Sequence, residues 1–174
     1  MFKTSRLSID EVTLADVSDF LEYMSREEYV RFLPMAIPTE ETLRAHLQRR
    51  IREQDSDPRK SFFLAVRLNG SAKIIGEATI RISVLNNAEA EIGWAIHHDY
   101  TGSGFATEIG VALVSFGLKN LKLSRIFARA HPENLVSIRI MDKIGLTSDG
   151  IIHDDLIHNG VPWSSYQASM RLKA

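Results

Sequence analysis

The stretch from Tyr100 to Glu108, YTGSGFATE, limits the folds open to this chain more than any other. It joins an alternating apolar run, which predicts a strand, to a run with helical periodicity. Gly102 and Gly104 stand one residue apart at that junction. Glycine permits a tight backbone turn and lets a ligand approach the main chain closely. The first turn of a helix carries free N–H groups and the positive end of the helix dipole. Together these features predict an anion site suited to a phosphate or pyrophosphate. Two common phosphate loops do not fit. A P-loop needs Lys and then Ser or Thr after its last glycine, whereas Phe105 and Ala106 follow Gly104. The dinucleotide pattern G-x-G-x-x-G needs glycine where Thr107 stands and an acid about twenty positions later, where Leu121, Lys122 and Leu123 are found.

The chain has 174 residues, which suits one domain over residues 1–174 with a substantial core. A formal net charge of −1 leaves no electrostatic footprint for nucleic acid or an anionic membrane, so neither is expected as a partner. Without cysteine there is no disulfide framework, thiolate metal site or cysteine nucleophile. The opening residues lack the apolar core of a secretion signal, and no apolar run is long enough to span a bilayer. The expectation is a soluble, cytoplasmic protein.

Periodicity and turn residues lay out the elements. Arg6 to Val12 predicts a strand, and Thr13 to Met24 a helix with Thr13 and Asp16 placed as a capping box. An irregular apolar stretch from Tyr29 to Ile37 leads to a second helix, from Pro38 or Thr39 to about Glu53. Three strands follow, at Phe62–Leu68, Lys73–Val84 and Glu89–Ile96, with turn signals at Asn69-Gly70 and Asn86-Asn87. Beyond the glycine loop come a helix from Ala106 to Lys119, a strand from Arg125 to Ala130, and a helix from Leu135 to Ile144 capped by Asn134. A β-hairpin around Asn159-Gly160 closes the chain. The order implies a mixed α/β sheet.

Several of these segments, in this order, resemble the GNAT superfamily of acyl-coenzyme A-dependent N-acyltransferases, particularly its RimJ/RimL-like branch. AEIGWAI (Ala90 to Ile96) resembles the family's central strand, and TGSGFATE (Thr101 to Glu108) its pyrophosphate loop. Pro132-Glu133-Asn134 with Ser137, then Lys143-Ile144-Gly145, resembles the helix that follows the next strand. The opening TSRLSI and the closing WSSYQASMRL fit the branch more loosely. The chain departs from the family pattern at three places. Thr101 stands where Gln or Arg is usual, no tyrosine follows the late helix near Gly145, and Ser164 rather than aspartate follows Trp163.

The resemblance implies a mostly antiparallel central sheet flanked by helices and transfer of an acetyl group from acetyl-CoA, as co-substrate, to a primary amine. The acceptor would be a small molecule or a protein N-terminus, and a homodimer is left open. Backbone N–H groups from Gly102, Ser103, Gly104, Phe105, Ala106 and Thr107, with Thr101 at the loop's start, would hold the pyrophosphate. The main chain of Trp94, Ala95 and Ile96 would hold the pantetheine arm. An amine with a pKa of roughly 8 to 10 must lose a proton before it attacks. Alternation places Glu89, Glu91 and Gly93 on one face of their strand, and Glu91 is the candidate base. Asn134 and Ser137, spaced i, i+3, share one side of a helix start. The resemblance puts both near the sulfur, with Ser137 a donor to the leaving thiolate. Tyr29, Arg31, Phe32 and Pro34 would flank the acceptor. No metal is expected: His97 and His98 adjoin on a predicted strand and should point apart, and no ligand set is completed. Two other readings stay open, a non-catalytic acyl-CoA sensor on the same scaffold and a different nucleotide-dependent transferase.

Overall fold

Alternation along Ser61–Leu68 (β3) divides the interior into two cores. Phe62, Leu64 and Val66 join one, Phe63 and Ala65 the other. Successive side chains of a strand point to opposite faces, so both faces of this strand are covered. In the computed structural model, which describes residues 1–172, the covering layers are helical. Val17–Met24 (α1) and Glu40–Gln54 (α3) supply Phe20, Leu43 and Leu47 to the core containing Phe63. Phe105–Lys119 (α4) and Leu135–Lys143 (α5) supply Ile109, Leu113 and Met141 to the core containing Phe62. Between the layers lies one sheet.

The remaining strands are Phe2–Lys3 (β1), Leu7–Glu11 (β2), Ile74–Ile82 (β4), Glu89–Ile96 (β5), Arg125–Ala130 (β6), Thr147–His158 (β7) and Val161–Arg171 (β8). They form an eight-stranded sheet in the order β1-β2-β3-β4-β5-β6-β8-β7. β5 and β6 run parallel; the other neighbouring pairs are antiparallel. No helix among the described residues is long and apolar enough to cross a membrane.

Local differences from the sequence expectation have local causes. The first helix opens as a 3₁₀ turn over Leu14–Asp16, because Asp16 reaches back to the Thr13 N–H at 2.7 Å and also binds Arg67. The stretch expected to be irregular begins with a short helix, Glu27–Val30 (α2). Thr39 caps α3 by accepting from the Thr42 N–H, so Pro38 lies outside it.

The sheet parts in its middle. β5 pairs with β6 only at Glu89–Arg125, Ala90–Ile126 and Glu91–Phe127. β5 stays with β4 as far as Ile96, whereas β6 stays with β8 as far as Ala130. Each half keeps its own twist, so the two strands diverge. Main-chain groups of β5 beyond Glu91 that face β6 are left without a strand partner.

Close approach of β4 to β5 supports this opening. A Cβ on Gly76 would lie 2.4 Å from the Ala95 carbonyl oxygen, so β4 can follow β5 there only as glycine. Gly76→Ala should therefore cost about 1–3 kcal/mol by forcing backbone apart. The urea unfolding midpoint measures it, and an unchanged midpoint would show that Ala95 moves freely.

Candidate functional site

Gly102 and Gly104 adopt φ of +76° and +79°, the left-handed region that strains other residues. A Cβ on Gly102 would meet nothing within 4 Å, and one on Gly104 only the Arg6 guanidinium at 3.7 Å. The space beside both glycines is open. The first bond of the helix joins the Glu108 N–H to the Gly104 carbonyl at 3.1 Å. The N–H groups of Gly102 through Thr107 have no acceptor among the described residues. They form a set of free donors at a helix N-terminus.

A polar clamp sets the loop's position. Glu108 accepts from the Thr4 hydroxyl, Ser5 Oγ, the Arg6 N–H at 3.0 Å and Arg6 Nε at 2.7 Å. Arg6 Nη1 donates to the Ser103 carbonyl at 3.0 Å, and its guanidinium lies over the Phe105 ring at 4.4 Å. Burial would raise the Glu108 pKa, but the bonds from Thr4, Arg6 and Ser5 outweigh it and hold the carboxyl below its ordinary range. The TSRL opening and the glutamate of the loop thus act on each other. Ser103 is not among the residues lining the cleft. The Thr101 hydroxyl donates to the His98 carbonyl at 2.8 Å.

From the loop a cleft of about 1010 Å³ runs through the parted strands to the wall beneath α2 and α3. Trp94, Ala95, Ile96, Thr101, Gly102, Gly104, Phe105, Ala106 and Thr107 line it, as do Asn134 and Ser137. The Trp94 ring packs towards α4, near Gly110. Asn134 caps α5, its Oδ1 accepting the Ser137 N–H at 3.1 Å. On the opposite wall stand Tyr29 and Phe32, with Met35, Ile37 and Leu43. Arg31 folds over the Phe32 ring at 5.0 Å; neither it nor Pro34 is among the lining residues.

Two carboxylates reach the cleft from one face of the sheet. Cross-strand register puts Glu77 opposite Ala95, Thr79 opposite Gly93 and Arg81 opposite Glu91. Glu91 lies 3.6 Å from Arg81 Nη2. Glu77 is different. It accepts a hydrogen bond from Tyr29 Oη at 3.0 Å and a longer one from Tyr23 Oη at 3.4 Å. Burial raises its pKa to about 7, against the opposing effects of Tyr29, Tyr23, Arg81 and Arg50. Burial, then the Glu77 charge, pushes both tyrosines well above their ordinary range, so they remain O–H donors. His46 faces the same space. Burial, then Arg50 and Arg49, lowers its pKa to about 4 and keeps it neutral.

The sequence profile of the Acetyltransferase (GNAT) domain matches residues 6–147. The chain belongs to the GNAT acetyltransferase family. An uncharacterized N-acetyltransferase of Bacillus subtilis (strain 168), YnaD, is 29% identical over 163 residues, covering 94% of this chain and 92% of the relative. The crystal structure of a GNAT-family acetyltransferase from Bacillus anthracis superposes with a TM-score of 0.85 at 28% identity, covering 97% and 96% of the two chains. RimL, a ribosomal L7/L12 alpha-N-protein acetyltransferase solved with coenzyme A, shares the fold with a TM-score of 0.81 at 15% identity, covering 97% and 96%.

This GNAT protein is therefore an acetyl-CoA-dependent acetyltransferase. The free N–H groups and the open space beside both glycines suit a diphosphate, so the loop fits that co-substrate. Sequence reading missed Glu77, Tyr23 and Arg50. Glu77 looks like any polar residue of an alternating strand, and Arg50 like one more cation on a solvated helix face. Arg50 instead turns inward to Glu53 at 2.8 Å and Ser61 at 3.0 Å. The histidine expectation also needs correcting. β5 ends at Ile96, so strand alternation does not reach His97 and His98, and their rings stack at 4.3 Å. With Asp99 they form a tight cluster, but His97 Nδ1 already accepts the Asp99 N–H, and Nε2 lies 3.3 Å from Glu22.

Gly104→Val tests the loop. It puts a branched side chain into the open space and strains a positive φ, so coenzyme A affinity should fall at least tenfold with the circular dichroism spectrum retained. Isothermal titration measures it, and unchanged affinity would remove the loop from the site.

Proposed function

We propose that this GNAT acetyltransferase acts as a single catalytic domain that moves the acetyl group of acetyl-CoA to a primary amine, by direct attack within a ternary complex. The supporting observation is the continuous cleft. It joins the glycine loop, the unpaired edge of β5 and a chamber carrying carboxylates, so donor and acceptor can be held at once. Cysteine is absent from the chain, which agrees with attack by the amine itself.

Each group has a stated task. The N–H groups from Gly102 to Thr107 hold the pyrophosphate. The free edge of β5 at Trp94 to Ile96 receives the pantetheine arm in the manner of an added strand. An N–H group there would also donate to the thioester oxygen as it gains charge. The leaving thiol has an intrinsic pKa of about 8.5, so a hydrogen-bond donor suffices in place of a strong acid. Ser137 fills that role from the first turn of α5, where the cap by Asn134 fixes it. Tyr29 and Phe32 flank the acceptor, which is a small-molecule amine or a protein N-terminus.

Free thiol is the readout that tests this reading. Acetyl-CoA with phenethylamine, spermidine, an amino-acid amide and an unblocked tetrapeptide should give thiol release above the blank for at least one amine. Coenzyme A binding without release for every amine would replace the enzyme with a sensor. Ser137→Ala should lower kcat by roughly ten- to hundredfold, the worth of one hydrogen bond to a charged atom. KM for acetyl-CoA should change less; an unaltered kcat would take Ser137 out of the reaction.

A further inference from the structure

We propose that Glu77, rather than Glu91, receives the ammonium of the acceptor and takes its proton. This rests on the amine-transfer reading above and names the group that makes the amine a nucleophile.

Position along the strands separates the two carboxylates. The thioester must lie where β5 and β6 have parted. Glu91 belongs to the last pair that still joins these strands, and Ala95 lies four residues further on. At about 3.3 Å per residue, Glu91 is roughly 13 Å of strand away from Ala95. Glu77 is directly across from Ala95, where paired Cα atoms are about 5 Å apart. Its neighbours leave it reachable. Ala65 and Ala95 flank it across the two adjoining strands, and Gly93 lies diagonally. None of the three has a side chain long enough to cover a carboxylate. The residue is only partly buried, and it lines the cleft.

The surroundings suit proton transfer. Tyr23 of α1 and Tyr29 of α2 donate to the carboxylate and orient it. α3 contributes neutral His46 and the cation Arg50, the latter engaged with Glu53 and Ser61. Arg81, two pairs along the same strand, is matched with Glu91 of β5. No cation is bonded to Glu77 among the described residues, so an ammonium can take that place. Glu91 already has one.

The step balances. An acceptor R–NH3⁺ gives one proton to the Glu77 carboxylate and becomes R–NH2. Its nitrogen forms the C–N bond at the thioester carbon, and the C–S bond breaks as the tetrahedral oxyanion collapses. Of the two protons left on nitrogen, one remains in the amide and one passes to the thiolate. Glu77 returns its proton to solvent. The deprotonated form is the active one, so rate rises as pH rises through the Glu77 pKa, about 7. Stability runs the other way. A carboxyl whose folded pKa is raised binds more protons folded than unfolded, so its contribution falls as pH rises towards 7.

The test uses the whole chain and thiol release with the most active amine of the panel. Glu77→Gln should lower kcat/KM by about a hundredfold or more at pH 7.5, a usual loss for a removed base. It should abolish the acid limb near pH 7, keep coenzyme A affinity, and show a thermal midpoint at pH 8 no lower than wild type. Tyr29→Phe removes a bond that favours the charged carboxylate, so it should move the limb to higher pH. A limb that persists in Glu77→Gln, or one that disappears in Glu91→Gln instead, overturns the assignment. If Glu77→Gln does not fold, Tyr29→Phe decides alone, and an unmoved limb overturns it. A wild type that releases thiol with no amine defeats the transfer reading, and this assignment falls with it; an active wild type with an unaltered Glu77→Gln profile defeats the assignment only.

Discussion

The parting of β5 from β6 is the constraint on which the rest of the site depends. Main-chain N–H and C=O groups are obligatory hydrogen-bonding groups, and a sheet normally uses them up between its strands. Here the parallel ladder ends after Glu91 and Phe127, so the inner edge of β5 beyond Glu91 keeps its groups free of a strand partner in the middle of the molecule. An exposed edge strand invites pairing with another chain. This edge lies inside the sheet, between β5 and β6, and lines the cleft.

Two further features make that opening useful. Gly76 lets β4 stay beside β5 while β6 leaves, so the parted strand remains supported on its other side. The Arg6–Glu108 clamp then holds the start of α4 and the glycine loop at the mouth of the opening. Its partners come from the beginning of the chain and from the loop, and neither part could fix the other alone. The free N–H groups of the loop, the free strand edge and the carboxylate wall thereby lie along one path.

Much of this was legible in local sequence. The glycine loop reads as an anion site because positive φ and free helix-start N–H groups follow from residue type and position, and the structure has both. Asn134 read as a cap for the same reason, and it accepts an N–H as a cap must. FFLAVRL read as a strand, and the structure has one at Ser61–Leu68. The carboxylate wall was not legible to the same degree. Glu91 stood out because it occurs in a segment with a family resemblance, whereas Glu77, in IIGEATI, carries no local mark. Its distinction comes from Tyr23 and Tyr29, which belong to other elements and reach it only after α1 and α2 fold over the sheet. His97 and His98 show the same limit, since they lie beyond the end of β5, where strand alternation does not apply and their rings stack.

The sequence by itself determined the main order of the elements, caps such as Asn134, and the glycine loop with its free helix-start N–H groups, because those follow from backbone preferences of residues close together in the chain. Tertiary structure alone decided that Glu77 stands opposite Ala95 beside two tyrosine hydroxyls with a raised pKa. That property is set by desolvation and by hydroxyl donors from distant elements, and no short stretch of chain contains them.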